Sequence, residues 1–217
     1  LIQKIEDSTI PYWFPTNRLP AGDESRRNDR MGITHVHHFY TKRSLWILAK
    51  LFSKCDTNLL KLWFNTQLIN ISKLNRYRPM VSFPYNPLSG TLYIPSQISE
   101  ANVFTAYHNR IRRLSRAYKK TRPGGFIGTC SLTKLILNDL SIDYIFTDPP
   151  FGSNLMYSEL NFLWEAWLKV FTNNEKEAIV NRTQNKGLEE YKALMTACFK
   201  EMYRILKPNR WLTVVFH

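Results

Sequence analysis

Ile142-Asp143-Tyr144-Ile145-Phe146-Thr147-Asp148-Pro149-Pro150-Phe151-Gly152 is the stretch on which the reading of this chain turns. Ile142, Tyr144, Ile145 and Phe146 form a short apolar run, the pattern of a strand buried on both faces of a parallel sheet. Pro149 and Pro150 cannot continue a hydrogen-bond ladder, so the chain leaves the sheet at Asp148. In open α/β sheets ligands bind beyond the carboxyl ends of the strands, which puts the Asp148 carboxylate where chemistry is done.

The two prolines fix φ at successive positions and remove two amide donors, leaving carbonyl acceptors with little freedom to swing away. Asp148 adds a carboxylate acceptor and Phe151 a flat apolar ring. The expected socket accepts a planar ring with an exocyclic amine, which donates to Asp148 and to the Pro149 carbonyl while the ring stacks on Phe151. The lone pair of such an amine is delocalised into its ring. Acceptors on its hydrogens favour the tetrahedral nitrogen of the transition state, which suits methyl transfer to that nitrogen. Asp before Pro also initiates ordinary turns, but a turn accounts for neither the apolar strand before it nor the apolar helix after it.

Asp148-Pro149-Pro150-Phe151 resembles the D/N/S-P-P-Y/F signature of the S-adenosylmethionine-dependent DNA amino-methyltransferases, the N-4/N-6 DNA methylases. The resemblance continues through Gly152 to Trp164 and through Leu206-Lys207-Pro208-Asn209-Arg210-Trp211, which is similar to the family's later L-K-P-G-G turn and final strand. It covers residues 127 to 217 well and the earlier part loosely. It implies an α/β fold with part of a Rossmann-like methyltransferase sheet, S-adenosylmethionine as cofactor, and DNA as partner. The methyl acceptor is the exocyclic amine of a base flipped from the duplex. Adenine N6 is favoured over cytosine N4, because the family's cytosine enzymes more often open the motif with Ser. Asp148 and the Pro149 carbonyl would polarise the amine, Pro150 would hold the loop, and Phe151 would stack on the base. The alternatives are an RNA or protein-amide N-methyltransferase, or a nucleic-acid-binding module without catalysis.

The 217 residues, 44% of them hydrophobic, suffice for one generous domain or two small ones. Charge divides them. Residues 1 to 122 hold 20 Lys and Arg against 7 Asp and Glu, whereas residues 123 to 217 hold 10 of each. The expected organisation is a basic, largely helical or irregular region over 1–122 that contacts polyanion, joined to part of a catalytic domain over 123–217. Because the chain opens in mid-pattern and stops inside an apolar strand, it reads as a fragment that is inactive alone. No apolar run is long enough for a membrane span, and no secretory signal is visible. Cys55, Cys130 and Cys198 have no metal-type spacing and read as thiols in a reducing, cytoplasmic compartment.

The first thirty residues carry turn formers and charges and read as an extended segment and loop. His35, His37 and His38 are not placed on one face by a helix or a strand, and no Cys or carboxylate stands at zinc-like spacing, so no metal site is expected. Thr41 is read as the N-cap of a helix with Leu45, Leu48, Ala49 and Phe52 inward, and Asn58 to Ser72 as a second with Leu59, Leu62, Trp63 and Leu68 inward. Residues 75 to 96, with Phe83-Pro84-Tyr85-Asn86 among them, read as an irregular connection closed by a short Thr91–Ile94 strand. Ser99 is expected to cap a helix to about Tyr118. Arg110, Arg112, Arg113, Arg116, Lys119, Lys120 and Arg122 crowd its end, more cations than the helix dipole calls for, and read as phosphate contacts.

Pro123-Gly124-Gly125-Phe126-Ile127-Gly128 superficially resembles a cofactor loop, but neither follows a strand nor opens a helix. The cofactor-binding residues are therefore not recognisable, and the strands that carry them are expected beyond Leu1 or His217. Beyond the catalytic loop, Leu160, Leu163, Trp164, Trp167, Leu168 and Phe171 repeat at helical spacing and are expected to bury both tryptophans against the sheet. A further helix spans Leu188 to Leu206 with Tyr191, Leu194, Met195, Cys198, Met202 and Ile205 inward. Asn209 is expected to turn left-handed before a strand over Trp211–Phe216.

Overall fold

The computed structural model describes residues 2–80, 87–120 and 124–216. Phe83 to Asn86 and Arg122 lie outside the described residues. The chain divides into two units, Leu1–Pro123 with Glu159–Thr172, and Gly124–Ser158 with Asn173–His217.

The first unit is helical: α1 (Ile2–Asp7), α2 (Asp23–Arg27), α3 (Lys42–Phe52), α4 (Asn58–Asn65), α5 (Leu68–Ile71), α6 (Val103–Tyr118) and all but the first two residues of α7 (Tyr157–Leu168). Side-chain caps start three of them. The Thr41 hydroxyl accepts from Ser44 N–H at 3.3 Å, Thr57 from Leu60 N–H at 3.2 Å, and Asn102 from Thr105 N–H at 3.0 Å. Asn102, rather than Ser99, is thus the cap of α6. The helix expected over Asn58–Ser72 is broken into α4 and α5 at Thr66–Gln67, where the Thr66 hydroxyl turns back onto the Trp63 carbonyl at 2.7 Å. Leu59 and Leu62 are exposed, because Phe64 is the residue of α4 that enters the core. No strand forms at Thr91–Ile94: the Leu92 N–H donates to the Glu24 carboxylate at 3.0 Å and its carbonyl accepts from Asn28 Nδ2 at 2.8 Å, so side chains take the bonds a ladder would have taken.

Trp167 is fully buried, its ring centroid 5.1 Å from Phe64, 5.4 Å from Phe52, 6.1 Å from Trp13 and 6.3 Å from Tyr40. Leu163, Ala166 and Trp167 therefore complete a helical core with Phe39, Leu48, Phe64 and Leu68, where packing against the sheet was expected. Trp164 is only half-buried, its indole N–H donating to the Asn65 carbonyl at 3.0 Å. Glu159, also fully buried, accepts from Ser25 N–H at 2.6 Å. A Cβ on Gly22 would lie 2.0 Å from the Glu159 carboxyl carbon, so only glycine admits this approach.

In the second unit β1 (Ile142–Thr147) and β2 (Leu206–Val214) pair in parallel, Tyr144 opposite Trp211 and Thr147 opposite Val214. α8 (Leu188–Ile205) feeds directly into β2. The register slips between Ile142 and Tyr144, where Lys207 to Arg210 bow out. Asn209 takes φ 60° as expected, and Lys207 and Arg210 close the bow on Asp143 at 2.9 and 3.2 Å. The strand expected to be buried on both faces is not: Tyr144 and Phe146 are 55% and 63% exposed, since the sheet has two strands among the described residues. Arg204 ties the segment leading into β1 to the end of α8. It donates to the Leu137 carbonyl at 2.9 Å, pairs with Glu201 at 2.7 Å and pairs with Asp139. The Arg204 hydrogen bonds, with the Leu135 N–H, hold the Glu201 carboxyl down to about 2. No described helix is long and apolar enough to cross a membrane.

Candidate functional site

β1 ends with the Thr147 carbonyl accepting from Val215 N–H at 2.9 Å, the last rung before the prolines. Asp148, the next residue, is exposed, and Pro149 is buried behind it. The Tyr191 hydroxyl on α8 donates to the Pro150 carbonyl at 2.6 Å, and the Gly152 carbonyl accepts from Val180 N–H at 3.2 Å. Gly152 has φ 69°, a left-handed turn that costs glycine nothing. Beyond it the Glu177 carboxylate caps the start of α7, accepting from the Ser158 N–H at 2.9 Å and its hydroxyl at 2.5 Å. The loop is thus held at Thr147, Pro150, Gly152 and Ser158. Between the first two anchors stand Asp148 and Pro149.

Among the described residues neither the Asp148 carboxylate nor the Pro149 carbonyl has a hydrogen-bond partner. Both line a cavity of about 290 Å³ together with Pro150, Lys176, Met195 and Cys198. That volume lies at the lower edge of the roughly 300–1,000 Å³ of ligand pockets, with a mixed lining of apolar walls and a few polar groups. Phe151 is not part of the lining; its half-buried ring sits edge-on to Phe216, 5.8 Å between centroids at 89°. Of the four residues singled out by the motif, three share the cavity and the fourth packs beside it.

Sequence reasoning placed Tyr191 on the inward stripe of α8 without giving its hydroxyl a task. A phenol in an otherwise aliphatic stripe needs a polar partner, and that is the signal that finds it. Lys176 carried no signal, standing in the polar stretch between α7 and α8. Cys198 lies on the inward stripe of α8, and burial raises its pKa above the ordinary thiol range.

Among the described residues, Gly124, Gly125 and Gly128 form no cradle for S-adenosylmethionine. Gly124, Gly125 and Gly128 lie in irregular chain that follows no strand and opens no helix, and a Cβ at Gly124 or Gly125 would meet nothing within 4 Å. No glycine-lined cradle that a side chain would fill is formed there. Calorimetric titration of this chain with S-adenosylmethionine is expected to give no saturable heat at micromolar concentration; micromolar binding would mean that residues 124 to 128 close around the ligand.

The histidines come together despite their spacing, because His37 and His38 lie on a 3₁₀ turn (Val36–Phe39) that follows His35. The His37 ring centroid is 4.3 Å from His38 and 5.6 Å from His35. Burial first, then the charges of His38, His35 and Lys73, push the His37 imidazole down to about 4. Among the described residues no group of three or more His, Cys, Asp or Glu is arranged to hold a metal ion. The cations of α6 and its end, Arg112, Arg113, Arg116, Lys119 and Lys120, are exposed and make no ion pair among the described residues; half-buried Arg110 donates to the Thr66 carbonyl at 3.4 Å.

Compared with known protein families, curated proteins and solved structures, the chain matches none.

Proposed function

We propose that this chain carries the amine-recognition part of an S-adenosylmethionine-dependent DNA amino-methyltransferase of the cytoplasm, adenine N6 being the favoured acceptor. The observation that carries the reading is the pair of acceptors, Asp148 carboxylate and Pro149 carbonyl, unpartnered among the described residues and held at the end of a parallel strand beside a small cavity. An exocyclic amine has two N–H donors. One donates to Asp148 and the other to Pro149, and both bonds strengthen as positive charge grows on the nitrogen. Tyr191 fixes the Pro150 carbonyl, one residue beyond the Pro149 acceptor. The methyl group comes from the cofactor, whose site these residues do not supply. Phe151 contributes the stacking ring, and Phe151→Ala is expected to weaken the complex with an extruded base by about 1–3 kcal/mol, with Tyr or Trp tolerated better. Equal losses from all three substitutions, measured by DNA titration, would make Phe151 a packing residue.

The lack of a cofactor cradle among the described residues favours, as a second reading, a nucleic-acid-binding module without catalysis. Both readings use the cations of α6 as phosphate contacts. Each neutralised phosphate releases condensed counterions, so log affinity for duplex DNA falls with log salt by about 0.9 per contact. Replacing Arg112, Arg113 and Arg116 with Ala is expected to flatten that slope and to weaken all sequences alike, whereas Asp148→Ala leaves the slope unchanged. Titrations at four salt concentrations measure it, and a triple variant with the parental slope would place DNA elsewhere on the protein.

A further inference from the structure

Among the described residues, the face of α6 beside its cations is apolar and unpartnered. Leu59, Leu60 and Trp63 of α4 and Ile111, Leu114 and Tyr118 of α6 line a groove of about 360 Å³. Leu59 and Ile111 are each 52% exposed and Tyr118 is 49% exposed, so large apolar side chains meet water along the whole groove. The two helices are firmly joined at its floor: the Trp63 indole N–H donates to the Tyr107 carbonyl at 3.2 Å, and the Tyr107 hydroxyl to the Phe64 carbonyl at 2.8 Å. Contiguous exposed apolar surface of this kind marks a place where another molecule sits.

We infer that the α4–α6 groove receives an acid-rich amphipathic helix of a protein partner. At about 3.6 residues per turn, Ile111, Leu114, Ser115 and Tyr118 fall on one stripe of α6, and Arg112, Arg116 and Lys119 fall on the next, one residue further along in each turn. The apolar stripe spans about 10 Å of helix, the reach of an incoming helix's i, i+3 or i+4, and i+7 side chains. The cationic row runs parallel to it with the same spacing, and none of its members has an acid of this chain to pair with among the described residues. A ridge of leucine-like side chains therefore fills the groove while glutamates on its flank meet the arginines. Phosphates alone fit the second stripe and leave the first in water. A bilayer surface meets a convex apolar face better than a concave one. Partner helix and DNA draw on the same cations, so their occupancies exclude one another, but the helix is measured without DNA and does not depend on the methyl-transfer reading.

The test uses a fluorescently labelled amphipathic peptide with leucines on one face and glutamates on the other, its scrambled counterpart, duplex DNA, and anionic phospholipid vesicles. Saturable binding of the amphipathic peptide is expected, weakened at least about tenfold by Leu59→Ser with Ile111→Ser, both at exposed positions that the fold tolerates. Those two substitutions leave duplex affinity unchanged. Arg112→Glu with Arg116→Glu and Lys119→Glu abolishes binding of the glutamate peptide and creates binding for a lysine-faced version. Equal binding of the scrambled peptide, a groove variant with parental peptide affinity, an equal loss of DNA affinity in that variant, or binding of vesicles in place of the peptide would each overturn the proposal.

Discussion

Asp148→Ala in the intact natural protein is expected to reduce methyl transfer by about 10²–10³-fold while the protein remains folded. The magnitude follows from removing one preorganised partner of a charge that develops only in the transition state. The retained fold follows from the position: Asp148 is exposed and without a hydrogen-bond partner among the described residues, so its removal alters stability by no more than about 0.5 kcal/mol. Asp148→Asn keeps one acceptor oxygen and loses less. Initial rates of methyl incorporation, read beside thermal melts of the same samples, make the comparison. Near-normal turnover by the alanine variant would remove Asp148 from the chemistry.

The largest effect on stability is expected at Trp167. Four aromatic rings surround its buried indole, and the alanine variant leaves a void those rings cannot all collapse into. Trp167→Ala is expected to cost about 3–5 kcal/mol in chemical denaturation, against less than about 0.5 kcal/mol for Tyr203→Ala, an exposed position of α8. A loss below about 1 kcal/mol at Trp167 would mean that the helical core is organised around other residues.

What could be read from the sequence was local. The apolar run before Asp148 announced β1, the hydroxyl of Thr41 announced the start of α3, and Asn209 announced a left-handed residue, which the structure places in the bow within β2 and not in a turn before it. Each is decided within a few residues, by propensity, capping or backbone sterics. Glu159 bonding Ser25, 134 residues away, and Tyr191 bonding Pro150, 41 residues away, had no local signature. The same limit misplaced α7. Its apolar spacing gave a helix with a buried face, and spacing cannot tell whether a sheet or a set of helices covers that face. Thr91–Ile94 failed for a related reason: its β-rich composition lost to Glu24 and Asn28, which take the backbone groups of Leu92. At the site itself, the motif marked three of the residues that line the cavity, Asp148, Pro149 and Pro150, while the anchors that hold the loop came from the end of β2, from α8 and from the connection before it.

The role proposed for the Asp148–Pro149 acceptors is to hold a base amine. Its most direct test is nucleoside mass spectrometry of unmethylated DNA after incubation with the intact natural protein and S-adenosylmethionine. N6-methyladenine is expected to accumulate with the wild-type protein and to fall by orders of magnitude with Asp148→Ala. DNA in which neither N6-methyladenine nor N4-methylcytosine forms would contradict it.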